Sequence, residues 1–172
     1  MIDFSNFLKE NLNGIFTTVE NGKPKSRAFQ FLFSDGKKVY FCTENNKAVY
    51  KQIKENPNVS FCVHKPDFSY VLSISGKVTF TNDINLKEKA LNKYPALKEI
   101  FKIPSNPVFE LFYVDVEEVD TFDFVNGYKK EKISKFNKLL QFNFLNVKVF
   151  ILLVFIKFIS YLQSHHIFLL IQ

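Results

Sequence analysis

The sequence predicts an α+β domain built on an antiparallel sheet that closes into a barrel. Three observations indicate this fold: short alternating apolar stretches dominate, tight turns join neighbouring stretches, and helices are inserted at only three places. An antiparallel sheet with this many strands closes its edges most simply as a barrel. The length of 172 residues predicts one domain with an appendage.

The first third of the chain begins with a short helix and continues as three strands. Apolar residues at helical spacing predict the helix over residues 3–12. Asn21-Gly22 and Asp35-Gly36 are strong hairpin signals, so the three strands that they join form an antiparallel meander. The strands cover residues 15–20, 24–34 and 38–43, and Phe29, Phe31 and Phe33 share one face of the middle strand.

The following residues alternate helices with longer strands. A helix over residues 45–55 turns Val49 and Ile53 inward and ends at Asn56-Pro57. Gly76 lies inside a long strand, which indicates a bulge or a bend. The other predicted elements are strands 58–64 and 69–81, helices 84–94 and 95–102, strands 108–116 and 118–124 with a break at 115–117, and a short strand over 128–134.

Charge and cysteine content exclude several classes of protein. The net charge is +6, but from residue 136 onward the charged residues are three lysines, so residues 1–135 carry 20 − 17 = +3. This ordinary balance argues against a nucleic-acid-binding protein. Cys42 and Cys62 are too few for a disulfide framework or a four-ligand zinc site, and no metal is expected. The start of the chain shows no signal peptide, so the cytoplasm is the expected compartment.

The last 37 residues differ in composition from the domain over 1–135. Residues 136–172 contain 24 apolar residues and lack Gly, Pro, Asp and Glu. Three interpretations stay open for this apolar tail. It could be a membrane anchor interrupted by Lys157, a helix packed on the domain or in a dimer interface, or unselected sequence such as a translated frameshift. The abrupt loss of acidic residues and turn formers favours the third.

One group of residues suggests an anion site. Arg27, the only arginine of the chain, lies on the predicted strand next to a helix whose first turn holds Asn46 and Lys47. Free backbone N–H groups and the dipole favour anions at a helix start, and an arginine can add two donors to a phosphate. The alternative is an ordinary helix start with solvated Lys and Asn, and the residues alone leave both interpretations open.

Six different short motifs follow one another between Phe7 and Phe124. They resemble the pyridoxamine-5′-phosphate-oxidase-like family of FMN-binding split β-barrels, which implies a split β-barrel with short flanking helices. The apolar C-terminal tail, residues 136–172, lies outside the family pattern. The motifs are Asn21-Gly22-Lys23-Pro24, Arg27-Ala28-Phe29-Gln30-Phe31, Val39-Tyr40-Phe41-Cys42-Thr43, Asn46-Lys47-x-x-Tyr50-x-x-Ile53, Glu55-Asn56-Pro57 and Ile74-Ser75-Gly76-Lys77.

The resemblance implies a homodimer with two FMN sites at the subunit interface. It places the segment from Arg27 to Phe31 along the flavin and assigns the phosphate to Asn46 and Lys47. It implies no particular catalytic residue. The cofactor-binding residues that it implies are Arg27, Ala28, Phe29, Gln30, Phe31, Cys42, Thr43, Asn46 and Lys47.

This chain also departs from the oxidases proper. They carry a glutamine on the strand occupied here by Tyr70, Val71 and Leu72, together with a C-terminal Arg-x-His motif and a tryptophan that contacts the flavin. None of these is present, so pyridoxamine phosphate is not the expected substrate. The expected function is a small FMN-dependent oxidoreductase with NADH or NADPH as a possible electron donor. The alternatives are a non-catalytic flavin- or haem-binding module and a membrane-tethered adaptor that uses the tail.

Overall fold

The structure, a computed structural model, describes residues 2–133, which form an α+β split β-barrel. All eight described strands belong to one antiparallel sheet, and four short helices flank it. The strands are β1 Asn13–Glu20, β2 Lys23–Gln30, β3 Phe33–Ser34, β4 Lys38–Glu44, β5 Asn58–His64, β6 Tyr70–Thr81, β7 Phe109–Asp123 and β8 Gly127–Lys132. The helices are α1 Ser5–Glu10, α2 Ala48–Glu55, α3 Ile84–Lys93 and α4 Pro95–Phe101.

The strand order shows how the sheet closes. The hydrogen-bonded path runs β2-β1-β5-β6-β7-β4-β3, with β8 paired to β7. Strands β2 and β3 therefore lie at opposite ends of this path, yet only Phe31 and Leu32 separate them in the sequence. So short a connection can join the two ends only if the sheet curls back on itself. Phe31 N–H donates to Leu12 O at 2.7 Å, and Leu32 N–H donates to Tyr40 O at 3.0 Å.

Aromatic side chains fill the barrel interior. Phe16 is fully buried, and its ring centroid lies 4.9 Å from that of Phe29, 5.2 Å from that of Phe41 and 5.8 Å from that of Phe112. These rings come from four different strands, because alternate residues of each strand point inward. Burying a Phe side chain contributes roughly 1.5–3 kcal/mol, so this cluster is a main source of the barrel's stability.

A second apolar cluster lies beneath α3 and α4. Ala90, Leu91 and Phe101 from these helices pack against Phe33 of β3 and Phe109 of β7. The Asp83 carboxylate caps α3 by accepting hydrogen bonds from the N–H groups of Asn85 and Leu86. The helices thereby cover the end of the sheet that β3, β4 and β7 form.

Many predicted elements are confirmed. Strand β5 has the predicted bounds, and its buried residues alternate along it. The Asn21-Gly22 turn joins β1 to β2 with positive φ at both residues. The register of β6 shifts between Ser75 and Gly76, as the glycine predicts. A Cβ at Gly76 would lie 2.0 Å from the carbonyl oxygen of Asp115, so the close approach of β7 requires glycine there.

The predicted three-stranded meander is wrong. The strand over 24–34 ends at Gln30, and a separate two-residue strand β3 follows. Strand β2 pairs with β1, whereas β4 pairs with β7 and β3. Phe29 and Phe31 both pack in the barrel cluster, whereas Phe33 belongs to the second cluster, so the three residues do not share one face. Local alternation could not reveal the change of direction at Phe31-Leu32, because closing the barrel is a long-range requirement.

Two other predictions need smaller corrections. Helix α2 begins at Ala48, so Asn46 and Lys47 precede its first turn and do not lie within it. The predicted strands 108–116 and 118–124 are the single strand β7. Its register with β6 skips Glu117, which lies opposite the step from Ser75 to Gly76, and this irregularity explains why the sequence suggested a break at that point.

The predicted tail, residues 136–172, lies outside the described residues, and so does the boundary at residue 135. Within residues 2–133, no helix is long and apolar enough to span a lipid bilayer.

Candidate functional site

A cavity of about 490 Å³ lies between β2, β4, α2 and α4. Its volume falls in the range of cofactor and ligand sites, roughly 300–1,000 Å³. We call it the Arg27 cavity. Its walls are formed by Arg27, Ala28, Phe29, Gln30, Leu32, Cys42, Thr43, Lys47, Ala48, Val49 and Leu97.

The structure brings most of the predicted site residues together around this cavity. Two of the nine do not line it. Phe31 is fully buried in the barrel cluster, and Asn46 is exposed ahead of α2. The seven that line it are Arg27, Ala28, Phe29, Gln30, Cys42, Thr43 and Lys47. That these residues hold FMN stays a prediction.

The Arg27 guanidinium is held by two buried side chains. Its Nη1 donates to Thr18 Oγ1 at 2.9 Å, and its Nη2 donates to Gln52 Oε1 at 2.7 Å. Thr18 is fully buried and Gln52 nearly so. Burial lowers the pKa of Arg27, and the negative charge of Glu20 opposes this shift. Arginine stays protonated at neutral pH, so the cavity wall carries a fixed cation.

Gln52 is itself oriented by an acid. Its Nε2 donates to Glu20 Oε1 at 3.0 Å, and its Oε1 also accepts the Thr18 hydroxyl at 2.7 Å. A carboxylate only accepts hydrogen bonds, so Glu20 fixes which end of the amide faces Arg27. The hydrogen bond from Gln52 is the largest cause that lowers the pKa of Glu20.

A second cation stands at the start of α2. Lys47 is the residue before the helix, and its Nζ lies 2.7 Å from Glu44 Oε1. The Lys47 side chain is 57% exposed, so this ion pair is solvated and contributes little stability. An anion in the cavity would therefore meet Lys47 together with a competing carboxylate 2.7 Å from its Nζ, whereas Glu20, the acid whose charge acts on Arg27, is hydrogen-bonded to Gln52.

The remaining walls are mostly apolar. Phe29 is half-buried on β2, and Leu32, Val49 and Leu97 add aliphatic surface. Burial raises the pKa of the Cys42 thiol to about 12, so this thiol is neutral at physiological pH. Cys42 therefore supplies a small, uncharged wall beside the buried Thr43.

Sequence reasoning missed four residues of the cavity wall and the side chains behind Arg27. Leu97 comes from α4, far along the chain, and no local pattern points to it. Gln52 had a visible signal, since positions 49, 52 and 53 share the buried face of α2 and a buried amide needs partners. The other missed wall residues are Leu32, Ala48 and Val49.

Comparison with known protein families shows which family the chain belongs to. A family model described as pyridoxamine 5'-phosphate oxidase matches residues 3–123. The chain belongs to this family. The match spans seven strands of the sheet and all the walls of the Arg27 cavity. No curated protein matches the chain significantly.

Solved structures share the fold of this family member. A NimC/NimA family protein from Clostridium acetobutylicum is 25% identical with a TM-score of 0.67, covering 74% of this chain and 88% of its own. General stress protein 26 from Bacillus anthracis is 20% identical with a TM-score of 0.65, covering 76% and 96%. A heme binding protein from Mycobacterium smegmatis is 12% identical with a TM-score of 0.62, covering 76% and 57%. The last two show the fold alone.

Proposed function

We propose that this protein binds FMN in the Arg27 cavity and acts as a small flavin oxidoreductase. The observation that carries the proposal is a cavity whose wall combines two cations with an apolar surface, within the residues that the family model matches. FMN has the same two parts, because a dianionic phosphate is attached to a planar, polarisable ring system.

The donors of the cavity suit the phosphate end. Arg27 uses one hydrogen of each Nη on Thr18 and Gln52, which leaves its Nε–H and two further N–H groups for a ligand. Lys47 adds a second positive charge, and the N–H groups of the first turn of α2 follow it in the chain. Charge-assisted hydrogen bonds of this kind are the strong ones.

The rest of the cavity suits the ring. Ala28 is small enough to let a flat ligand approach the β2 backbone, and Phe29 offers an aromatic side chain. Gln30 supplies an amide that can donate or accept at the polar edge of a ring, and the neutral Cys42 thiol adds no charge. Bound flavin would supply the redox chemistry, while these residues bind it, orient it and exclude water from one side.

The haem alternative finds less support. Among residues 2–133 the one histidine is His64, whose ring stacks on Phe68 with 4.1 Å between centroids, and it is not part of the cavity wall. The raised pKa of Cys42 disfavours the thiolate that iron would require. The wall that the described residues give this cavity has neither a histidine nor a thiolate to bind iron, so it fits FMN better than haem.

We extend the proposal to the assembly and the electron donor. Strand β2, a wall of the cavity, pairs with β1 on one side and leaves its other edge unpaired within the described residues. A second copy of the chain covering that edge would close the cavity, and we propose a homodimer. NADH or NADPH is the proposed electron donor, and the cytoplasm, where both occur, is the proposed compartment.

The test is the absorbance of the purified protein after incubation with FMN and removal of free flavin. We expect a flavin spectrum that NADH or NADPH bleaches. A retained flavin that neither nicotinamide reduces would indicate the non-catalytic module. A colourless protein would contradict both flavin interpretations.

A further inference from the structure

Behind the wall of the Arg27 cavity lies a polar network that does not line it. Thr18 on β1, Gln52 on α2 and Glu20 at the end of β1 connect through hydrogen bonds of 2.7 and 3.0 Å and end on the Arg27 guanidinium. Thr18 and Gln52 are buried at 0% and 4% exposure. Buried polar groups of this kind are costly unless all are satisfied, so the network needs a reason to persist.

We propose that Thr18 and Gln52 are positioning residues that hold Arg27 in the geometry that binds the phosphate of FMN. The inference rests on the proposed function. Arg27 would otherwise sample several rotamers, because its side chain is long and lies on the outermost strand of the sheet. With both Nη atoms held, the plane of the guanidinium is fixed before any ligand arrives, which reduces the entropy lost on binding.

Glu20 completes the arrangement. If the Gln52 amide turned over, its NH₂ group would face the Arg27 guanidinium and its oxygen would face the Glu20 carboxylate, so both contacts would be repulsive. Glu20 thus favours the orientation in which Gln52 accepts from Arg27. The Glu20 charge also stabilises the guanidinium, although Glu20 does not line the cavity.

The experiment measures the dissociation constants of FMN and riboflavin by quenching of flavin fluorescence. Thr18→Val and Gln52→Met keep the volume of each side chain and remove its hydrogen bonds to Arg27. We expect each to weaken FMN binding roughly 3- to 10-fold, as for the loss of one hydrogen bond. Riboflavin has no phosphate, so its affinity should change less than about 2-fold. Thr17→Val is the matched control, because its hydroxyl bonds Ser26 Oγ at 2.9 Å and does not reach Arg27.

A double-mutant cycle separates positioning from a general effect on the fold. In the Arg27→Ala background, Thr18→Val and Gln52→Met should weaken FMN binding no further, because the residue through which they act is gone. Three results would overturn the inference: equal losses for FMN and riboflavin, unchanged FMN binding, or a further loss in the Arg27→Ala background. None of them would contradict the proposed function, because the wild-type protein would still bind FMN. Wild-type protein that fails to bind FMN would overturn the proposed function, and the inference with it.

Discussion

Arg27 Nη2 donates to Gln52 Oε1 across 2.7 Å, although the two residues are 25 positions apart in the sequence. This hydrogen bond ties β2 to α2, two elements that both contribute residues to the wall of the Arg27 cavity. The only arginine of the chain is therefore part of the framework of the cavity as well as a donor in its wall.

Arg27→Ala should weaken FMN binding by about 1.5–3 kcal/mol, the range for hydrogen bonds to charged groups. Lys47→Ala should cost less, about 0.5–1.5 kcal/mol, because Glu44 already neutralises part of the Lys47 charge. Isothermal titration of each variant with FMN and with riboflavin measures both effects. Riboflavin should bind both variants almost as well as wild type, and equal weakening of the two ligands would show that the phosphate assignment is wrong.

Glu44→Gln should strengthen FMN binding. The carboxylate lies 2.7 Å from Lys47 Nζ and would repel a phosphate held by the same lysine. We expect a gain of roughly 2- to 5-fold in affinity at low salt, smaller at high salt because ions screen exposed charges. Glu55→Gln is the control, since Glu55 is the exposed last residue of α2. Equal gains in affinity for the two variants would show that the effect comes from the net charge of the protein and not from the Glu44–Lys47 ion pair.

Gly76→Ala should destabilise the barrel strongly. The added Cβ would meet the carbonyl oxygen of Asp115 at 2.0 Å, and β6 has little freedom to move because it is paired with β5 on one side and β7 on the other. We expect a loss of about 3 kcal/mol in the free energy of unfolding, measured by urea denaturation. Gly22→Ala is the comparison, because Gly22 has φ +76° but open space around it. It should lose only about 1 kcal/mol from backbone strain.

Stability should fall at alkaline pH, in part because of Cys42. Burial raises the pKa of this thiol to about 12, from an ordinary value of 9.0. The folded state keeps the proton that the unfolded state releases, so this contribution is complete below about pH 9 and is lost as the pH rises towards 12. Tyr40, whose pKa is also raised to about 12, adds to the loss above pH 10. Urea unfolding at pH 8, 9 and 10 should show a shallower decline for Cys42→Ala than for wild type, and identical slopes would contradict the assignment.

A chain truncated after Lys135 should fold and keep its FMN affinity. The described residues 2–133 already contain the closed sheet, both apolar clusters and every wall of the Arg27 cavity. The shortened protein should also aggregate less, because it lacks the 24 apolar residues of the segment 136–172. Circular dichroism and FMN titration check the prediction. Loss of binding or of dimerisation would mean that the segment is an integral part of the protein.

The sequence predicts local features of this fold well, because their causes are local. Asn21-Gly22 favours positive φ whatever surrounds it, and the alternation of β5 records which face is buried. The break at Phe31-Leu32 could not be predicted in this way, since it follows from joining two ends of a sheet that are far apart in strand order. The same limit applies to the site. Arg27 and Lys47 stand out as cations beside a helix start, whereas Leu97 joins the cavity wall through the packing of α4, a distant element.

The most direct test of the account is a calorimetric titration of the wild-type protein, freed of bound flavin, with FMN and in parallel with riboflavin. If Arg27 and Lys47 hold the phosphate, FMN should bind at least 10-fold more tightly than riboflavin, which corresponds to about 1.4 kcal/mol or more. The preference should shrink as salt is raised, because the phosphate contacts are electrostatic. An absence of FMN binding, or equal affinity for the two flavins, would contradict the account.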